Sequence, residues 1–362
     1  MRRNILGKLL VLFGILYFIP HEAAAIPAWS RKEGAPCSTC HYRFNRLNQT
    51  GLDYYRQGFR TQAQPSHSKQ ELKPNLSDYF SVLGRVDISK RDDRDYSTDF
   101  RATLYGGGEL SPHWSFLGET TLNPPSHQEI ADFFLGYSIG TKDQYLFVRA
   151  GQLLPFLTVD NPFEVAADRD SAFPRDRHIG AAAGYYWNKL WGEIVVFQSA
   201  SINDAPSRNK VDVVANGQYI FTSNGTSLGG YVWEGNVNVD AFTTDPYKRY
   251  GFVGNFNELA KGKLLLAAGF TKGKGDSGGG GSTKTQAFFG QGEYVFSEKF
   301  SALLHVVRAD PDTDVSGNDK TIYTASAFWW PTDSVNVIGR FIGVNQLGAT
   351  DKQFTLSLRF MY

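Results

Sequence analysis

The chain has 362 residues, a formal net charge of +1, two cysteines, two methionines and 37 glycines, with aromatic residues at 14%. The near-zero charge leaves no electrostatic basis for nucleic-acid binding, so no nucleic acid is expected among its partners. Two cysteines are too few for a disulfide scaffold, and the sequence has neither a P-loop nor a nucleophile elbow.

Residues 1–25 carry the features of a secretory signal. Arg2, Arg3 and Lys8 give a basic start, and Leu9 to Ile19 is an apolar run short for a membrane span. Ala23, Ala24 and Ala25 offer small residues for cleavage, which would leave Ile26 first and the mature chain outside the cytoplasm. An uncleaved anchor is the competing reading.

Residues 26–73 form a small module and its linker. Within them Cys37-Ser38-Thr39-Cys40-His41 matches Cys-x-x-Cys-His, the attachment signature of a c-type haem. Two thiols add across the haem vinyl groups, and the adjacent imidazole becomes the proximal iron ligand. Cys37, Cys40 and His41 are therefore the candidate residues for one covalent haem c, with His41 on the iron. A strained disulfide between Cys37 and Cys40 is the alternative. Phe44, Leu47, Leu52, Tyr55 and Phe59 recur at roughly helical spacing, which predicts a helical module with Gly51 separating two short helices. Under about fifty residues give a meagre core and too little chain to cover both faces of a haem. Some other part of the protein is expected to cover the second face.

No methionine in the module can serve as sixth iron ligand, because the chain contains only Met1 and Met361. His67 in the linker is the nearest candidate. His113, His127, His178 and His305 lie further along, each readable as an ordinary surface or lumen histidine. A vacant or water-filled position is also open.

Residues 74–362 have a different texture: segments of about ten residues with frequent alternation, separated by turn residues, as in an outer-membrane β-barrel. In the final segment Phe354, Leu356, Leu358, Phe360 and Tyr362 share a face suited to lipid, and Thr355, Ser357, Arg359 and Met361 share one suited to a wet lumen. The terminal aromatic residue matches the signal that barrel-assembly machinery reads. Short turns are expected near 111–113, 141–143, 188–189, 223–226, 260–262, 297–299 and 332–334. Longer loops are expected at 89–95, 123–127, 155–176, 202–210, 271–282 and 311–319. This gives about sixteen antiparallel strands, or fourteen if 211–243 is one long loop. An even number puts both barrel ends on the periplasmic side, so the haem module would enter from there. A soluble β-sandwich shares the alternation and is the competing fold.

The run Ile26-Pro27-Ala28-Trp29-Ser30-Arg31-Lys32-Glu33-Gly34, then Cys37, Cys40, His41, Phe44, Leu47, Asn48 and Gly51, resembles the fused monohaem cytochrome–porin family. The match is confined to Ile26–Gly51, with Trp29 where many relatives have Phe and Asn45 where many have Pro. The barrel matches only in architecture and length. The resemblance implies an outer-membrane iron(II) oxidase, an oxidoreductase whose haem module enters a porin of about sixteen strands. It would carry electrons between extracellular iron and periplasmic carriers such as small cytochromes. Physics favours such an arrangement, because a hydrocarbon layer of about 30 Å separates a periplasmic haem from an outside donor. A barrel of about sixteen strands is wide enough to admit a small module. Candidate iron contacts are the loop carboxylates Asp160, Glu164, Asp168, Asp170 and Asp176, and Asp310, Asp312, Asp314 and Asp319. Arg169, Arg175 and Arg177 are interleaved with the first set, and solubilising loop charge is the favoured reading of both. A diffusion porin with a haem-bearing plug or sensor, and an outward electron conduit to an external acceptor, are the alternative functions.

Overall fold

The computed structural model describes residues 28–35, 39–43, 46–59, 78–92, 94–123, 127–153, 178–198, 210–223, 225–238, 244–274, 284–310, 312–332, 334–346 and 348–361. The expected signal, Cys37, Phe44, Asn45, His67, the acidic residues of 155–176, Tyr362 and the side chains of His127 and His178 lie outside the described residues.

Four short elements come first: α1 (Ala28–Glu33), β1 (His41–Arg43), β2 (Arg46–Leu47) and α2 (Gln49–Arg56). Sixteen barrel strands follow. They are β3 (Phe80–Arg91), β4 (Arg94–Glu109), β5 (Trp114–Asn123), β6 (His127–Gly140), β7 (Gln144–Leu153), β8 (His178–Trp187), β9 (Leu190–Gln198) and β10 (Val211–Ile220). Then come β11 (Ser227–Asn238), β12 (Thr244–Glu258), β13 (Leu264–Lys274), β14 (Lys284–Ser297), β15 (Phe300–Asp310), β16 (Lys320–Thr332), β17 (Val335–Gln346) and β18 (Ala349–Met361). Each pairs antiparallel with its neighbours, and β18 closes on β3 with Arg359 opposite Arg85. Closure leaves no unpaired sheet edge, which is what a membrane-spanning sheet requires.

The expected short turns all join strands at one end of the barrel, and 211–243 holds two strands, so the count is sixteen. The expected loop at 89–95 is different: the ladder continues through Asp87–Asp99 and Ser89–Ser97, and β3 and β4 nearly meet. Polar residues on both faces hid these strand ends from the alternation. Both barrel ends, Phe80 and Met361, lie at the short-turn end, since Phe80 pairs with Gly106 beside the β4–β5 turn and Met361 bonds to Ser334 of the β16–β17 turn.

The two faces of β18 are as expected. Phe354, Leu356 and Phe360 are exposed, while Thr355, Ser357 and Arg359 are buried. Around the rest of the barrel Phe133, Ile179, Ile194, Phe252 and Leu304 continue an outward apolar surface suited to lipid. The lumen departs from the wet expectation on one side. Val253, Ala267, Ala287, Phe289, Val307 and Ile322 of β12–β16 form a buried apolar cluster on the inward face. A neighbouring wall is charged: Arg359, Arg85 and Arg101 are successive cross-strand partners on β18, β3 and β4. The Nε atoms of Arg85 and Arg101 pair with Asp87 and Asp99, each at 2.7 Å.

The leading elements sit inside the short-turn mouth. Trp29 donates from Nε1 to the Gly107 carbonyl at 2.9 Å, and Ser138 donates to the Gln57 carbonyl at 2.9 Å. Phe59, only 1% exposed, is buried with Leu117, Phe134, Phe147 and Trp191 of the barrel. Tyr55 makes edge contacts with Phe134 and Phe147 at 5.8 and 6.3 Å between centroids. The guanidinium of Arg56 lies 4.2 Å from the Trp191 ring centre. At this depth a buried ion pair, Arg149 to Glu193 at 3.1 Å, reinforces the same wall. The helical spacing through 44–59 was only partly right. His41–Arg43 and Arg46–Leu47 pair as two short strands, α2 begins at Gln49, and Gly51 lies inside α2 rather than between helices.

Candidate cofactor cavity

Asn48 organises the turn that carries Cys40 and His41. Its side chain caps α2 by accepting from the Gly51 N–H at 3.0 Å, and its amide donates to the Thr39 carbonyl at 3.0 Å. Its backbone N–H donates to the Cys40 carbonyl at 2.9 Å. Gly51 lets α2 rest directly on that carbonyl, because a Cβ there would stand 2.1 Å from the Cys40 oxygen. The segment bearing Cys40 and His41 is thus fixed to the first turn of α2 by backbone contacts.

Beneath this turn lies a cavity of about 610 Å³, within the size range of cofactor sites. The module contributes Trp29, Cys40, His41, Leu47, Tyr54 and Phe59 to its lining. The short turns and nearby strands of the barrel contribute Lys142, Tyr186, Lys189, Ile220, Thr222 and Ser223. Cys40 and His41 are half-buried and face the same space. That suits a haem, whose thioether and proximal imidazole must reach one macrocycle, and the aromatic and aliphatic lining suits its faces. The barrel contributes the rest of the lining.

Two carboxylates also border the cavity. Asp53 accepts hydrogen bonds from Gln49 at 3.0 Å and from the Tyr145 hydroxyl at 3.2 Å, tying α2 to β7. Burial pushes its pKa above the usual carboxylate range, against the opposing pull of Arg56. Glu33 accepts from the Tyr54 hydroxyl at 3.1 Å. Burial, with the Glu33 charge added, raises the Tyr54 pKa and keeps that side chain a neutral phenol.

The other singled-out residues lie elsewhere. His113 sits at the β4–β5 turn with Nδ1 3.1 Å from the Ser138 carbonyl, and His305 is buried on the lumen face of β15. Met361 ends β18 opposite Leu83. None of these three lines the cavity. The acidic set on the β15–β16 connection serves its own loop. Asp310 and Asp312 accept backbone N–H groups of Asp312 and Asp314, Lys284 pairs with Asp314, and Arg308 pairs with Asp319. Sequence reasoning did not find Lys142, Tyr186 or Lys189, because barrel closure alone brings them to the module.

No protein-family model matches the chain, and no curated protein matches it in sequence. Its fold is similar to solved outer-membrane barrels. Against OmpT of Vibrio cholerae lacking loop L8, the TM-score is 0.57 at 12% identity, covering 78% of this chain and 98% of that one. Against the anion-selective porin from Comamonas acidovorans it is 0.56 at 13% identity, covering 78% and 99%. Against Salmonella typhi OmpF in complex with daunomycin it is 0.56 at 12% identity, covering 78% and 96%. The likeness is one of fold: a closed, sixteen-stranded antiparallel barrel of outer-membrane porin type.

Proposed function

We propose that this outer-membrane barrel carries one covalent haem c on Cys37, Cys40 and His41 in its short-turn mouth. On this reading the chain is a fused cytochrome–porin. The haem passes single electrons between extracellular iron(II) and a periplasmic carrier such as a small cytochrome. The observation that carries the proposal is the cavity shared by Cys40, His41 and the barrel turns. Short turns face the periplasm in such barrels, so the cavity would open toward the carriers. When bound, the haem supplies a reversible one-electron centre. The residues around it exclude water and hold the motif turn, and such surroundings tune a haem's potential. The test is a pyridine haemochrome assay for about one haem per chain, then redox titration and stopped-flow mixing with Fe(II). A haem inert to Fe(II) but reduced by periplasmic donors would make the protein an outward conduit.

A second reading, a diffusion porin with the module as haem-bearing plug or sensor, draws on the fold likeness to porins. The charged wall at Arg359, Arg85 and Arg101 also favours it. Ion conductance in planar bilayers, together with a haem that does not react with Fe(II), would select this reading.

A further inference from the structure

The cavity is mostly aromatic and aliphatic, but its barrel-side lining includes two cations, Lys142 and Lys189. They stand on consecutive short turns, β6–β7 and β8–β9, which are joined by a hydrogen bond from Asn188 N–H to the Asp143 carbonyl at 2.9 Å. Lys189 is further held by donation from Nζ to the Phe221 carbonyl at 3.3 Å. Its backbone is informative. Asn188 and Lys189 are the two central residues of the hairpin, with φ of 48° and 82°. A type I′ turn needs positive φ at both positions and favours Asn-Gly. Lysine in the glycine position is therefore a conformational cost to the turn.

The opposing charges in the lining come from the module. They are Glu33, bonded to Tyr54, and Asp53, bonded to Gln49 and Tyr145. Glu33 and Asp53 accept hydrogen bonds from neutral side chains, Asp53 partly from Tyr145 of the barrel and with the charge of Lys142 near enough to act on it, and both amines stand on the barrel side. An occupant that is flat and apolar with an anionic edge matches this polarity. A haem has two carboxylates on one edge.

We infer that Lys142 and Lys189 hold the carboxylate edge of the haem, so that the barrel turns orient a cofactor whose covalent bonds belong to the module. This rests on the haem reading above. Lysine acts here as a point charge on an anion. Two cations beside the ring also favour the reduced, less positive iron, so they raise the potential of the haem.

The experiment uses the full-length haem protein in detergent. It compares the parent with Lys142→Gln, Lys189→Gln, the double variant, the double Lys→Arg variant, and Lys189→Gly. Haem content, midpoint potential, iron spin state and thermal stability are measured on each. Haem content should be unchanged. The potential should fall in each Gln variant, fall further in the double, and stay near the parent value with arginine. Lys189→Gly should lower the potential while leaving stability equal or higher, which a purely structural role of the side chain would not produce. An unchanged potential in the double Gln variant, with haem attached, overturns the inference and leaves the haem reading intact. A change of spin state in a single variant assigns that lysine to the iron and also overturns it. A parent protein without covalent haem refutes the haem reading itself, and this inference with it.

Discussion

A side chain on Gly51 would drive its first carbon to 2.1 Å from the carbonyl oxygen of Cys40, so these two residues touch through backbone alone. Gly51→Ala should push the motif turn off α2. Overpacking of this kind costs about 1–3 kcal/mol. The expected outcome is faster protease cleavage within 28–59 while the barrel stays resistant, followed by limited proteolysis of the purified protein.

Asp53 makes module docking sensitive to pH. Its pKa is raised by burial, so the folded state holds the proton more tightly than the unfolded chain does. The resulting stabilisation is complete below the ordinary aspartate pKa and is lost as pH rises through the elevated native one. Protection of the module should therefore weaken upward across that interval. Asp53→Asn should flatten the profile, and hydrogen exchange of α2 across a pH series, corrected for the intrinsic exchange rate, reads it.

Phe59 anchors the module in the lumen, packed with Leu117, Phe134 and Phe147. Truncating a buried phenylalanine to alanine costs about 3–5 kcal/mol. Phe59→Ala should release the module at a lower denaturant concentration than it takes to unfold the barrel. Tryptophan fluorescence from Trp29, which stacks on Phe59 at 5.0 Å between centroids, reports that step. A single transition unchanged from the parent would contradict it.

The Arg149–Glu193 pair is buried on both sides. Arg149→Met leaves the buried Glu193 without its guanidinium partner, with Asn216 still donating at 3.3 Å, a loss of about 3–5 kcal/mol. Arg149→Met with Glu193→Met should recover most of that loss. The temperature at which the barrel band shifts on an unheated-to-heated gel measures both.

Covalent attachment is the most direct check on the cofactor. Cys37→Ala with Cys40→Ala should abolish the covalent haem signal while the barrel still folds and shifts on heating.

Much of the barrel was legible because its turns are marked by short polar or glycine-bearing stretches and because strands such as β18 alternate in sequence. There Thr355, Ser357 and Arg359 are buried, with Phe354, Leu356 and Phe360 exposed. Alternation fails where both faces are apolar. Phe252 faces outward and Val253 inward, and nothing in that dipeptide shows which meets lipid. It also fails in short elements: the apolar spacing through 44–59 fits a helix as well as a turn followed by a helix. The Cys-x-x-Cys-His motif is a local string and is read without reference to the fold. The cavity was not legible, since Trp29, Gly107, Lys142 and Lys189 become neighbours only when the sheet closes.

Closure also has a consequence for biogenesis. Both chain ends of the barrel lie at the mouth that holds the module. No strand has to thread through the lumen for α1 and α2 to reach their seats. The sheet can close first and receive the module afterward, or close around a module already docked. Docking of the leading segment and insertion of the strands need not follow a fixed order.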